Sequence, residues 1–288
     1  MKRVWIFFTI VIAISIQVTL AATAVTNFAV NTGYVDVVPR QLIRTNNDKL
    51  YIFAAKAQYS NILRTYSTQG LPNTGNDFSV IPDKIMSANI ISVDATYDGA
   101  GTIFVSVNTQ DGKINIIPFD INTNIYKTAK LLPSSGIVSG DYIGTSGISS
   151  MVDTTGKLHF AFWNNTNHIL YSSFTYDSTS NVFTTITNNL QVDSGSANHP
   201  SLVVDRNNVV TLAWVSELTS PAKILTRSIT NETLGVVLLA STSPVWTSTS
   251  AGINIDQGPS LVVDKNNVVH MLICKILTLL AIMVEYIT

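Results

Sequence analysis

The sequence predicts an all-β protein, a β-propeller made of four-stranded antiparallel blades. Three observations predict it: a unit that recurs five times, a spacing of 52 to 59 residues between successive copies, and four apolar runs in each complete unit. The spacing is too long for one coil of a solenoid and suits a four-stranded blade with its loops. We therefore expect about four complete blades and a partial fifth, as in a truncated propeller.

The repeat is clearest in two segments, Pro200-Ser-Leu-Val-Val-Asp-Arg-Asn-Asn-Val-Val-Thr-Leu-Ala-Trp214 and Pro259-Ser-Leu-Val-Val-Asp-Lys-Asn-Asn-Val-Val-His-Met271. A third copy runs from Ser150 to Trp163, and fainter copies run over 97–107 and 44–53. One position in each copy, which we call the anchor, begins the predicted turn. The anchors are Thr45, Asp98, Asp153, Asp205 and Asp264.

The residues after each anchor explain why the chain turns there. Asp-Thr-Thr-Gly, Asp-Arg-Asn-Asn and Asp-Lys-Asn-Asn combine a side chain that caps a turn with residues that tolerate positive φ. The strand that follows, for example 158–163, is apolar on both faces and should be covered on both sides. Stacked blades provide that cover. A two-sheet sandwich is the structural alternative, but it has no reason to repeat every 52 to 59 residues.

The amino terminus predicts a secretory signal peptide over residues 1–22. Lys2 and Arg3 precede an apolar stretch from Val4 to about Ile16, and small residues follow around Ala21. This is the order of charge, apolar core and cleavage site that such peptides have. An uncleaved membrane anchor is the alternative, but polar residues interrupt the run before it reaches the about 20 residues of a span. We therefore expect a secreted or cell-surface protein whose repeat domain covers residues 23–274.

The carboxyl terminus departs from the repeat. Residues 275–288 form an apolar tail that only Lys275 and Glu285 interrupt, and the stretch between them is too short to span a membrane. The sequence predicts that the fifth unit stops near Met271, at the start of its second strand, and that the tail reflects truncation or a change of reading frame. This tail is the one part of the mature chain that could be helical.

Composition argues against several classes of function. Charged residues make up 12% of the chain and the net charge is −1, with no run of like charge, so a nucleic-acid partner is not expected. A single cysteine, Cys274, rules out an intramolecular disulfide framework. Neither a phosphate-binding glycine loop nor a Gly-x-Ser-x-Gly elbow is present. The turns lack the ligand ladder of a calcium loop. We expect no metal and no cofactor.

Several large side chains are predicted to pack within the fold. His159 and His270 share one repeat position, which other copies fill with an aromatic or hydroxyl residue, namely Tyr51, Phe104 and Thr211. A position that accepts phenylalanine is a packing site, so these two histidines are interpreted as structural. Trp163 and Trp214 are predicted to lie in the core between blades.

A ligand site is predicted on the face opposite the anchor turns, where the loops between second and third strands meet the connections between blades around the axial opening. Its carboxylates, arginine and aromatic residues could hydrogen-bond to and stack on sugars. Asp141 with Glu217 could perform acid–base glycoside chemistry. Polar residues at loop tips are also commonly just solvated. The candidate ligand-binding residues are Arg40, Tyr59, Asp111, Asp141, Tyr142, His168, His199, Glu217 and Asp256.

On its Pro-Ser-Leu-Val-Val-Asp-x-Asn-Asn-Val-Val-His unit, the chain resembles the sialidase-like superfamily of six-bladed propellers. Sialidases carry Asp-boxes, Ser-x-Asp-x-Gly-x-Thr-Trp, whereas Thr96-Tyr-Asp-Gly-Ala-Gly-Thr-Ile103 lacks the aromatic residue and displaces the glycines. Their arginine triad has no counterpart, and Val37-Val-Pro-Arg-Gln41 is a poor match to their Arg-Ile-Pro segment. The resemblance therefore implies the fold, a truncated six-bladed propeller, and not the activity.

Taken together, these features favour a secreted, non-catalytic propeller that binds an extracellular glycan or protein. A sialidase-like glycoside hydrolase is the rival hypothesis, and a nonfunctional fragment of a longer propeller protein is the third.

Overall fold

A computed structural model describes residues 42–57, 60–70, 77–132, 136, 147–218, 222–241, 258–278 and 281–287 of the chain. Within these residues the structure is all-β, and its strands form five antiparallel sheets in chain order, which we call blades 1 to 5. The signal peptide predicted over residues 1–22 lies outside the described residues.

The strands of blades 1 to 3 follow the predicted units. Blade 1 contains β1 (Leu42–Arg44), β2 (Lys49–Ala55), β3 (Ile62–Gln69) and β4 (Ser79–Ile85). Blade 2 contains β5 (Ile90–Tyr97), β6 (Thr102–Thr109), β7 (Ile114–Asp120), β8 (Ile125–Tyr126) and β9 (Lys130–Leu131), and the last two both pair with β7. Blade 3 contains β10 (Ile148–Val152), β11 (Leu158–Trp163), β12 (Ile169–Asp177) and β13 (Val182–Gln191).

Blades 4 and 5 complete the array. Blade 4 contains β14 (Ala197–Val204), β15 (Val210–Ser216), β16 (Lys223–Thr230) and β17 (Thr233–Ser241). Blade 5 contains β18 (Ser260–Val263), β19 (Val269–Thr278) and β20 (Ala281–Ile287). Blades 1, 3, 4 and 5 are simple meanders in which strands that follow each other in the chain pair in the sheet, and blade 2 departs from this only in its β9, which pairs with β7.

The prediction that the fifth unit stops near Met271 needs correction. The second strand of blade 5 continues to Thr278, and Ala281–Ile287 pairs with it as a third strand. Isoleucine, valine, leucine and threonine dominate this stretch, and such residues favour strands when a partner is available. The tail is therefore a β-hairpin that adds to blade 5, rather than the helix that the sequence alone allowed.

The first strands of successive blades lie side by side, and a repeated hydrogen bond joins them. The hydroxyl of Ser149 accepts the backbone N–H of Leu202 at 3.0 Å, and the hydroxyl of Ser201 accepts that of Leu261 at 3.1 Å. Both serines stand four residues before an anchor. Asp94 holds this position in blade 2, and its carboxylate accepts the N–H of Ser150 at 2.6 Å. The serine of the Pro-Ser-Leu-Val-Val-Asp unit therefore links neighbouring blades.

We expect Ser201→Ala to lower the free energy of unfolding by about 1–3 kcal/mol, because it leaves the N–H of Leu261 buried without an acceptor. Ser92→Ala is the matched control, since Ser92 is an equally buried first-strand serine whose hydroxyl has no hydrogen-bond partner among the described residues. Urea unfolding of the two variants measures the difference. Equal losses would show that the hydrogen bond between blades contributes nothing beyond burial of the side chain.

The anchor turns form as the sequence predicts. Asp205 Oδ1 accepts the N–H groups of Asn207 at 2.8 Å and Val209 at 2.9 Å, and the other aspartate anchors cap their turns in the same way. The residue three positions after every anchor has a positive φ, which favours glycine, asparagine and aspartate. These residues are Asp48, Gly101, Gly156, Asn208 and Asn267.

Two of those residues also connect blades. Asn208 Oδ1 accepts the N–H of Thr154 at 3.1 Å, and Asn267 Oδ1 accepts the N–H of Arg206 at 2.7 Å. The second asparagine of the Asp-x-Asn-Asn turn thus has two roles: it adopts the left-handed conformation and it holds the turn of the preceding blade.

Apolar cores lie between successive blades, which explains why the second strands are apolar on both faces. One cluster joins blades 1 and 2, another joins blades 2 and 3, a third joins blades 3 and 4, and a fourth joins blades 4 and 5. Trp163 and Trp214 both belong to the cluster between blades 3 and 4, as predicted. A two-sheet sandwich would instead have had a single core between two facing sheets.

His159 lies in a buried hydrogen-bonded chain, in agreement with its structural interpretation. Its Nε2 is 3.1 Å from Asp153 Oδ2, and its Nδ1 is 2.6 Å from the hydroxyl of Tyr171. Burial raises the pKa of Asp153, but its hydrogen bonds outweigh burial and lower it, so the carboxylate is ionised and accepts from Nε2, while the hydroxyl of Tyr171 donates to Nδ1. This assigns the neutral tautomer with the proton on Nε2. His270 repeats the contact with its own anchor, at 3.1 Å from Asp264.

Burial lowers the pKa of His159 and outweighs the opposing effect of Asp153. The unfolded chain therefore binds a proton at this histidine at a higher pH than the folded chain does. The free energy of unfolding should accordingly fall as the pH drops below about 6.5. Because Phe104 fills the equivalent position, His159→Phe should fold and reduce the difference in stability between pH 7.5 and pH 5, as measured by urea unfolding. An unchanged difference would contradict this assignment.

Candidate functional site

The face opposite the anchor turns, which we call the loop face, carries the turns between second and third strands. Connections between blades hydrogen-bond to the turns between second and third strands: the N–H of Ile90 donates to Ser60 O at 2.9 Å, and that of Ala197 donates to Asn167 O at 2.9 Å. Four predicted site residues are described, Asp111, His168, His199 and Glu217. The other five, Arg40, Tyr59, Asp141, Tyr142 and Asp256, lie outside the described residues.

Asp111 lies on the β6–β7 turn of blade 2. Its carboxylate is 2.6 Å from Lys113 Nζ and accepts the hydroxyls of Thr109 at 2.7 Å and Ser87 at 3.0 Å. Partial burial raises the pKa of Asp111, but these donors outweigh burial and lower it to about 2. The carboxylate is therefore ionised at neutral pH, and it organises its own turn.

His168 and Glu217 both contact the connector between blades 3 and 4, residues 192–196, or the start of β14 that follows it. His168 Nδ1 is 2.9 Å from Asp193 Oδ2, and its side chain is 31% exposed. Glu217 Oε1 accepts the side-chain amide of Asn198 at 2.8 Å, and its N–H donates to Ser196 O at 3.0 Å. We call His168, Asp193, Ser196, Asn198 and Glu217 the connector cluster.

Asp193 holds the connector cluster together. Its buried carboxylate accepts the N–H groups of Ile169 at 2.8 Å and Gly195 at 3.0 Å in addition to its contact with His168. With both oxygens engaged, Asp193 fixes the connector and the orientation of His168. Sequence reasoning missed Asp193 because a lone aspartate before Ser-Gly resembles any polar loop residue.

His199 lies apart from this surface. It is 3% exposed, it has a φ of 51°, and its ring centroid is 5.4 Å from that of Trp163. A register shift in β14 between Asn198 and Ser201 turns the side chain inward. His199 therefore packs against blade 3, and Asp111 belongs to the blade 2 turn. His168 and Glu217 each hydrogen-bond to the connector, at Asp193 and Ser196 respectively.

No group of three or more His, Cys, Asp or Glu side chains suited to hold a metal ion occurs among the described residues. In the same part of the chain, no helix is long and apolar enough to cross a membrane.

Solved structures that resemble this chain share its array of blades. An AofleA mutant from Arthrobotrys oligospora superposes with a TM-score of 0.55 at 10% identity, covering 87% of this chain and 69% of that one. The chain is a β-propeller. The propeller also resembles TolB from Acinetobacter baumannii, with a TM-score of 0.50, 11% identity and coverage of 83% of this chain and 49% of that one.

A xylan β-1,4-xylosidase from Bacillus halodurans C-125 is a third structure of this kind, with a TM-score of 0.49, 13% identity and coverage of 86% of this propeller and 50% of the xylosidase. The propeller thus spans about half of the length of the xylosidase and of TolB. At these identities the likeness shows the fold alone. No protein-family model and no curated protein matches the sequence.

Proposed function

We propose that this propeller is a secreted, non-catalytic member of the sialidase-like group that binds carbohydrate on its loop face through the connector cluster. The observation that carries the proposal is the pairing of Glu217 with Asn198. The carboxylate of Glu217 is exposed, and the side-chain amide of the buried Asn198 donates to it at 2.8 Å. Adjacent donors and acceptors match the hydroxyl groups of a sugar, each of which both donates and accepts.

Binding is favoured over hydrolysis by the state of the neighbouring carboxylate. Glycoside hydrolysis generally uses two carboxyl groups that face the scissile bond. Asp193 lies on the same connector as Ser196, a partner of Glu217. Its carboxylate is buried and accepts the backbone N–H groups of Ile169 and Gly195. It supports the surface and does not offer a second reactive carboxyl group.

A glycan array probed with the full chain tests the proposal. We expect Glu217→Gln and Asn198→Ala to weaken binding of the recognised glycan by about tenfold, since each removes a hydrogen bond to a charged group. Asp48→Asn is the control, because Asp48 is exposed on an anchor turn of blade 1 and asparagine tolerates its positive φ.

Parallel incubation with fluorogenic glycosides distinguishes the two activities. Turnover that Glu217→Gln abolishes would replace the binding function with a hydrolase. Binding that is equally tight in both connector variants and in the control would contradict the proposed site.

A further inference from the structure

A second candidate site lies on the face that carries the anchor turns. The anchor turns there meet the hairpins between the third and fourth strands of the following blades, which we call the outer hairpins. In two blades, a lysine four residues after the anchor reaches from the anchor turn to the outer hairpin of the following blade. Lys49 Nζ is 3.4 Å from Asn124 Oδ1 of blade 2, and Lys157 Nζ is 2.8 Å from Glu232 Oε1 of blade 4. The lysine side chain therefore fills the space between a blade and the next outer hairpin.

Blade 2 has Thr102 at this position, and threonine is too short to reach the next blade. A cleft of about 180 Å³ opens there between blade 2 and the outer hairpin of blade 3. Its lining includes Asp120, Asn122 and Lys127 from blade 2, and Tyr176 and Ser178 from blade 3. The cleft thus exists because Thr102 stands where blades 1 and 3 have a lysine that would fill this space.

The polar groups of the cleft are fixed in place. Asp120 Oδ2 is 3.2 Å from Lys127 Nζ, while Asp120 Oδ1 accepts the N–H of Asn122 at 2.9 Å. Burial raises the pKa of Asp120, but its hydrogen bonds outweigh burial and keep that pKa below its ordinary value. A carboxylate and an ammonium group therefore stand side by side as an ion pair with no net charge.

An aromatic residue forms the other wall. The ring centroid of Tyr176 is 5.4 Å from that of Phe104 and 4.7 Å from that of Phe183, and its hydroxyl donates to Asn181 Oδ1 at 2.8 Å. The ring is held from several sides and presents an apolar surface beside a polar ion pair. This combination of an apolar wall and a few convergent polar groups is typical of small-molecule sites.

We propose that this cleft binds one neutral sugar residue through two adjacent hydroxyl groups. One hydroxyl donates to the carboxylate of Asp120 and the neighbouring one accepts from the ammonium group of Lys127. Anionic ligands are disfavoured by Asp120 and cationic ones by Lys127. The proposal extends the proposed carbohydrate-binding function to a second site, and its test does not depend on the connector cluster.

The test uses methyl α-mannoside and methyl β-galactoside, which carry adjacent hydroxyl groups, with binding to the full-length Glu217→Gln protein followed by saturation-transfer NMR. The connector site is impaired in this background. We expect Thr102→Lys to weaken binding at least about tenfold, because it restores the side chain that fills the equivalent space in blades 1 and 3. Lys127→Met should have a similar effect through loss of a charged hydrogen bond.

Val209→Lys is the matched control, since Val209 holds the same repeat position in blade 4, away from the cleft. It should bind the glycosides as tightly as its Glu217→Gln parent. Unchanged affinity in both Thr102→Lys and Lys127→Met would overturn the cleft proposal while leaving the connector cluster untouched. Equal loss in Val209→Lys would also overturn it, because the effect would then not arise in the cleft.

Discussion

Replacing Trp214 by alanine is expected to lower the free energy of unfolding by about 3–5 kcal/mol. Trp214 is 1% exposed and lies in the core between blades 3 and 4, together with Leu212 and Tyr171. The substitution removes a large buried side chain between two rigid sheets that cannot close the gap fully, so the cost of a cavity adds to the lost burial. Urea or thermal unfolding measures the loss.

Two further variants sharpen the Trp214 prediction. The indole N–H of Trp214 has no hydrogen-bond partner among the described residues, so Trp214→Phe should cost less than half as much as alanine. Leu238→Ala is the surface control, because Leu238 is 59% exposed on the outer strand of blade 4 and should change stability by less than about 0.5 kcal/mol. Equal costs at positions 214 and 238 would show that the blades do not pack through this core.

Removing the anchor carboxylate with Asp153→Ala should lower the free energy of unfolding by about 3 kcal/mol. The side chain is 1% exposed and accepts the N–H groups of Thr155 at 2.8 Å and Lys157 at 2.9 Å. Its Oδ2 also accepts a hydrogen bond from Nε2 of His159 at 3.1 Å. All of these donors would lose an acceptor that is itself buried, and the imidazole of His159 is buried with it.

Asp264→Ala is the matched comparison for Asp153→Ala. Asp264 accepts the equivalent N–H groups of Asn266 and Val268 and the imidazole of His270, but its side chain is 30% exposed. Water can replace the lost acceptor there, so we expect a clearly smaller loss than for Asp153→Ala. The two anchors share their backbone and imidazole hydrogen bonds, and Asp153 also accepts the hydroxyl of Thr155, so the difference between the two losses reports burial together with that one bond. Equal losses would contradict that reasoning.

The repeat could be predicted well because its reasons are local. An aspartate that caps a turn and an asparagine or glycine with positive φ act within five residues. Asp205 and Asn208 therefore predict their turn from the sequence alone. The same holds for strands whose apolar pattern is strong. The tail was misread because its strand character depends on pairing with β19, a contact that composition does not reveal.

The candidate site was only partly predictable. His168 and Glu217 were singled out as polar loop residues, yet each is positioned by a residue distant in sequence, Asp193 for His168 and Asn198 for Glu217. His199 looked equivalent in sequence, but a register shift turns it into the core beside Trp163. The cleft at Thr102 could not be predicted from the sequence, because it exists only where the Thr102 side chain is too short to reach the next blade.

By itself, the sequence determined the number of units, the position of each anchor turn and the strands that flank it, since these follow from local backbone preferences and from apolar patterns within one unit. Only the tertiary structure decided how the units meet. The hydrogen bonds from Ser149 and Ser201, the acceptor role of Asn208 and the open cleft beside Thr102 all join residues more than 50 positions apart or depend on a neighbouring blade. Such contacts are set by packing between sheets, and no pattern within a single unit encodes them.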